Sequence, residues 1–123
     1  MSVPRLDHIE LPVRDWQESR NWYRDMLGFE AEMEFPDERV VGMRDATDLT
    51  IFMHESAPPV AAPGLSFTVQ VADVDDTYRE LTSRGVAFEH PPQKVYWGYG
   101  AELLDPTGYR LRLWDEVTMK EKG

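Results

Sequence analysis

Two nine-residue stretches of this chain share an outline, though few identical residues. Asp45-Ala46-Thr47-Asp48-Leu49-Thr50-Ile51-Phe52-Met53 lies over the stretch from Asp105 to Leu113, displaced by 60 positions. Ile9 to Asp15 lies over Phe67 to Asp73 at a displacement of 58, and Leu27-Gly28-Phe29 over Arg84-Gly85-Val86 at 57. Such self-similarity outranks local signals, because it says that one unit is built twice. Gly98 to Trp114 reads as two strands about a tight turn, with Pro106 presetting φ and Gly108 supplying a positive φ. Tyr109, Leu111 and Leu113 alternate there with Arg110, Arg112 and Trp114, which gives a strand with two distinct faces.

Each half reads β-α-β-β-β. Leu6–Val13 is a strand, and Asp15 caps a helix running through Trp16, Ser19, Tyr23, Met26 and Leu27 to Gly28. Phe29–Phe35, Arg39–Arg44 and Asp48–Glu55 are strands. The second half opens with the strand Leu65–Val71, after which Asp73 caps a helix through Tyr78 and Leu81 to Gly85. Val86–Glu89 reads as a short strand and His90–Trp97, with two prolines, as a loop. The expected layout is a single domain over 1–123. It comprises module one (4–55), a Pro/Ala-rich connector (56–63), module two (64–115) and a charged, frayed tail (116–123). A unit of about 55 residues buries a four-stranded sheet poorly on its own. The expected fold class is therefore α+β, with two tandem βαβββ modules forming a curved, partly closed β-barrel. Its concave side, the inter-module cleft, is the default place for a small organic molecule.

Composition narrows the partners. The 123 residues carry a formal net charge of −10, which argues against nucleic acid held on a basic surface. No apolar run approaches the roughly 18 residues of a membrane span, and the start of the sequence lacks the apolar block of a secretion signal. With no cysteine there is neither a disulfide framework nor thiolate chemistry, and a cytoplasmic location is expected.

Asn21-Trp22-Tyr23-Arg24-Asp25-Met26-Leu27-Gly28-Phe29 resembles the F-Y-x-x-x-L-G-F segment of the vicinal oxygen chelate superfamily. Leu104-Asp105-Pro106-Thr107-Gly108-Tyr109 resembles its D-P-x-G-x hairpin, and Trp97-Gly98 shortly before it looks most like the bleomycin-resistance branch. The resemblance implies paired βαβββ modules and a homodimer. It also implies that metal-using members take their ligands from the first and fourth strands of each module, here His8, Phe52, Ser66 and Arg112. Of these four, His8 alone can ligate a divalent ion, which needs about three N, O or S donors. No metal and no cofactor is therefore expected. A displaced metal site would have to combine His8 with Glu10, His54 or Glu102.

Several residues can carry binding or chemistry. His8 and Glu10 share a strand face, so His8 can act as general base or ligand partner with a carboxylate beside it. Arg112 either binds a ligand carboxylate or phosphate, or forms a structural ion pair with Glu10 or Glu102. Tyr96, Trp97 and Tyr99, interleaved with Gly98 and Gly100, read as a stacking wall, and Phe52, His54 and Ser66 line the same expected hollow. Trp16, Trp22 and Tyr23 read as helix packing or a dimer contact. The expected function is metal-free binding of a small molecule, in its sharpest form sequestration of an aromatic or cationic antibiotic, with Glu10 and Glu102 countering a ligand's charge. The alternative is a vicinal-oxygen-chelate enzyme, a lyase, isomerase or dioxygenase. It would use His8 with a displaced metal, or His8 or Glu10 to move a proton next to a carbonyl with Arg112 stabilising the oxyanion. Whether the chain is an enzyme is left open by the sequence.

Overall fold

The computed structural model describes residues 2–57, 61 and 64–123. The chain divides into two compact units, Met1–Ala61 and Ala62–Gly123. In the first, β1 (His8–Val13) leads to α1 (Trp16–Leu27), β2 (Glu30–Phe35), β3 (Val40–Arg44) and β4 (Thr50–Glu55). Period-two and helical patterns meet in one core: Leu11 and Val13 of β1, Val41 and Met43 of β3, Ile51 and Met53 of β4, and Trp16 and Tyr23 of α1 are buried together. The sheet order is β1-β4-β3-β2, with β1 parallel to β4 and the other pairs antiparallel. As expected, Asp15 accepts from the backbone N–H groups of Gln17 and Glu18, and Gly28 closes α1 at φ 71°.

The second unit repeats this plan with β5 (Ser66–Gln70), α2 (Val74–Ser83), β6 (Phe88–Val95), β7 (Gly98–Leu104) and β8 (Arg110–Trp114), in the order β5-β8-β7-β6. The repeat extends to strand register. His8 lies opposite Thr50 and Glu10 opposite Phe52, as Ser66 lies opposite Arg110 and Thr68 opposite Arg112. Turn chemistry repeats as well. The Asp45 carboxylate accepts from the N–H groups of Thr47 and Leu49, and that of Asp105 from Thr107, Gly108 and Tyr109. The positive φ falls on Asp48 (69°) in one copy and on Gly108 (107°) in the other.

A further pair of carboxylates also repeats. Glu55, at the end of β4, accepts from the N–H of Trp16 at 3.2 Å, and Asp115, just past β8, accepts from the N–H of Val74 at 2.7 Å. Each ties the last strand of its unit to the first residue of the unit's helix, where backbone donors lack intrahelical partners.

Two expectations are corrected. The strand read as Val86–Glu89 runs instead from Phe88 to Val95, through the residues read as a proline-containing loop. β6 is an edge strand, where Pro91 and Pro92 forfeit no obligatory ladder bond, and the register shifts between His90 and Gln93 absorb them. The tail read as frayed forms α3 (Glu116–Lys122), because Asp115 also caps it through the N–H and hydroxyl of Thr118. Of the connector read over 56–63, residues 58–60 and 62–63 lie outside the described residues. No described helix is long and apolar enough to cross a membrane.

Asp115 is 2 % exposed. Burial pushes its carboxyl up, but the bonds it accepts from Val74 and Thr118 outweigh this and hold it below its usual range. Its contribution is therefore complete above the unfolded-state value and is lost as pH falls through the folded one. Asp115→Ala is expected to cost about 1–2 kcal/mol at neutral pH, with the deficit against the unmodified protein shrinking at strongly acidic pH. Urea denaturation at both pH values checks this; a deficit that does not depend on pH contradicts it.

Candidate functional site

On β7 and β8 the alternation buries Ala101, Leu103, Leu111 and Leu113 and turns Gly100, Glu102, Arg110 and Arg112 to the other face. The β6–β7 register adds His90, opposite Glu102. A charged cluster results, centred on Glu102, which is 8 % exposed. Its Oε2 accepts from Arg110 at 2.7 Å and its Oε1 from the Trp97 indole N–H at 2.8 Å. Arg112 Nε and His90 Nε2 lie 3.7 and 3.6 Å from the same Oε1. Burial pushes the Glu102 carboxyl up, while the bonds from Trp97 and Arg110, with His90 close by, outweigh burial and hold it below its usual range. Its hydrogen bond to Arg110 raises the guanidinium's value in turn.

The aromatic residues divide between the two faces. Trp97 folds back over Gly100, where an added Cβ would collide with the indole ring and the Leu113 carbonyl. The Tyr96 hydroxyl accepts from Arg112 at 2.7 Å, and the Arg112 Cζ sits 5.4 Å from the Tyr96 ring centroid and 5.8 Å from that of Trp97. Tyr99, two residues before buried Ala101 on β7, belongs to the opposite face, with Lys122 of α3 5.1 Å from its ring. It does not join Tyr96 and Trp97 in one wall.

The corresponding face of the first unit carries His8, Glu10, Phe52 and His54. His8 stands edge-on to Phe52 at 4.8 Å, and its Nδ1 lies 2.9 Å from an Asp7 oxygen. The carboxylate beside the imidazole is thus Asp7, in place of the expected Glu10, which is exposed on β1. Phe52 covers Gly42, where an added Cβ would come within 3.1 Å of the ring. Ser66 is half-buried at the start of β5, opposite Arg110. Neither Arg110 nor His90 was singled out as a site residue from the sequence. Arg110 was legible in the alternation that exposed Arg112, whereas His90 was hidden by the reading of its segment as a loop.

The residues at the four family ligand positions do not fit a divalent cation: one imidazole, one phenyl ring, one hydroxyl and one guanidinium, the last bringing positive charge. A displaced site built on His8 with Glu10 or His54 fares no better. Among the described residues no group of three or more His, Cys, Asp or Glu side chains is placed to hold an ion.

A family model described as the glyoxalase/bleomycin resistance protein/dioxygenase superfamily matches residues 5–113. None of the curated proteins compared matches the chain. Among solved structures, an antibiotic binding protein from Streptomyces, TnmS3, is 22 % identical with a TM-score of 0.76, covering 94 % of this chain and 98 % of its own. A Bacillus cereus protein described as a possible glyoxalase is 16 % identical with a TM-score of 0.78, over 90 % of this chain and 98 % of its own. Lactoylglutathione lyase from Agrobacterium tumefaciens is 16 % identical with a TM-score of 0.73, over 94 % and 96 %. At these identities the likeness is one of fold.

Two predictions follow from the cluster. Glu102→Leu leaves Arg110 without its closest counter-ion and Trp97 without its acceptor, and is expected to destabilise the protein by about 1–3 kcal/mol, read as a lower urea midpoint. In the unmodified protein the Trp97 indole N–H resonance is expected to hold its position as pH falls past the ordinary glutamate range, moving only at lower pH as Glu102 protonates. Movement centred at or above the ordinary glutamate value contradicts the cluster's electrostatics.

Proposed function

The chain belongs to the glyoxalase/bleomycin resistance protein/dioxygenase superfamily, and from that premise we propose that it is a metal-free small-molecule-binding protein. Its ligand carries a flat aromatic group that packs against Trp97, Tyr96 and Arg112, and sequestration of an aromatic antibiotic is the sharpest form of this reading. One observation carries it: the donor set at His8, Phe52, Ser66 and Arg112 is suited to packing and hydrogen bonding and unsuited to gripping an ion. The fold shared with the Streptomyces antibiotic binding protein supports it. Between the aromatic and cationic versions of the ligand, the geometry favours the aromatic one, since Arg110 already neutralises Glu102. Part of the same proposal, on the strength of the family, is a homodimer.

A second reading, an enzyme with His8 as general base, is favoured by the Asp7–His8 contact at 2.9 Å. A carboxylate on Nδ1 fixes the tautomer and leaves Nε2 free to take a proton.

Elemental analysis of protein grown in metal-supplemented medium is expected to show far less than one metal per chain. A thermal-shift panel of aromatic antibiotics is expected to contain stabilising compounds, with the shift lost in Trp97→Ala. A stoichiometric metal that disappears in His8→Ala would overturn the binding-protein reading. Turnover of a panel compound, abolished in His8→Gln, would favour the enzyme.

A further inference from the structure

The cluster around Glu102 leaves hydrogen-bond donors unused, and they belong to Arg112. A guanidinium offers five N–H donors. Among the described residues, the hydrogen bond of Arg112 goes to the neutral hydroxyl of Tyr96, and its Nε is buried with no hydrogen-bond partner. Glu102 is occupied elsewhere: Arg110 at 2.7 Å and Trp97 at 2.8 Å take its two oxygens, leaving Arg112 Nε at 3.7 Å, beyond hydrogen-bond length. Arg110 has a second carboxylate, Glu89, at 3.6 Å. Arg112 therefore only shares Glu102 at ion-pair distance and, among the described residues, makes no hydrogen bond to a carboxylate. Its side chain is 22 % exposed, shielded enough for its charge to be weakly screened and open enough to be reached. Beside it stand the ring of Trp97 and that of Tyr96, a residue 87 % exposed.

The geometry points to Arg112 as the anchor for a carboxylate borne on a flat aromatic body, so that the ligand class is the aromatic carboxylic acids. This rests on reading the face as a ligand site and adds the ligand's charge. The planar fork of the guanidinium matches a carboxylate's two oxygens, and the adjoining rings offer apolar surface to the body that carries it. It also matches phosphate, but a dianion would bring a second negative charge close to Glu102, so the monoanion is preferred. The chain's formal net charge of −10 slows the approach of any anion without cancelling this local preference.

The test uses 1-naphthoate, neutral 1-naphthamide, 1-naphthylmethylamine and 1-naphthyl phosphate with the full chain. Affinities come from calorimetry, and the Arg112 Nε–H and Trp97 indole N–H resonances are followed in labelled protein. Naphthoate is expected to bind roughly tenfold or more tightly than the amide and to shift both resonances. Arg112→Met is expected to bind the two alike. Should that variant fail to fold, the Nε–H titration of the unmodified protein decides. An amide or amine that binds as tightly as naphthoate, while still shifting Trp97, overturns the carboxylate anchor and spares the binding site. Tighter binding of the phosphate overturns the choice of carboxylate. If no probe shifts either resonance, the binding-site reading fails and this inference with it.

Discussion

Parallel pairing of the first and last strands of each unit is the constraint on which the rest depends. A parallel pair cannot be joined by a short turn, so a long crossover must lie between the two strands. Here the crossover is a helix followed by two further strands, which fill one side of the sheet and extend its edge. The pairing also decides which side chains meet. Glu10 beside Phe52 and Thr68 beside Arg112 are neighbours because β1 and β5 run parallel to β4 and β8 in matching registers.

From one backbone plan the two units have drawn different chemistry. On the corresponding face of the first, Phe52 covers Gly42 and touches His8, with Glu10 opposite it on β1. In the second, Trp97 covers Gly100 in a similar way, but its indole reaches a carboxylate that also holds Arg110. An ion pair kept from water costs desolvation, which good hydrogen bonds must offset. Glu102 meets that cost with two short bonds. Arg112, with a single hydrogen bond to a phenol among the described residues, leaves part of it outstanding.

What the sequence made legible was local. Asp15, Asp73 and Gly28 announce helix ends through neighbours a few residues away, and the Asp105–Gly108 turn does the same for a hairpin. Pro91 and Pro92 misled because their harmlessness depends on β6 lying at an edge, which is a property of the sheet and not of the segment. The tail was readable in retrospect, for Asp115 followed by Glu116 and ending in Lys120 and Lys122 is a helix signature. Its bond to Val74, 41 residues away, was beyond any local rule. At the candidate site, Glu102, Trp97 and Arg112 were all named from the sequence, and the structure brings them together. The period-two rule already separated Tyr99 from Glu102, and aromatic composition obscured it. Asp7 escaped notice as the partner of His8 because it precedes β1, where strand alternation no longer dictates direction.

The double duty of Asp115 has an effect on how the second unit comes apart. One carboxylate holds the N–H of Val74 and that of Thr118, so the starts of α2 and α3 share a fastening. Glu55 in the first unit divides itself differently, between the start of α1 and Arg39. Terminal turns ordinarily open independently and at little cost. Here, peeling away the last seven-residue helix disturbs the carboxylate that also anchors α2, so the end of the chain is woven into the cooperative unfolding of the unit that precedes it.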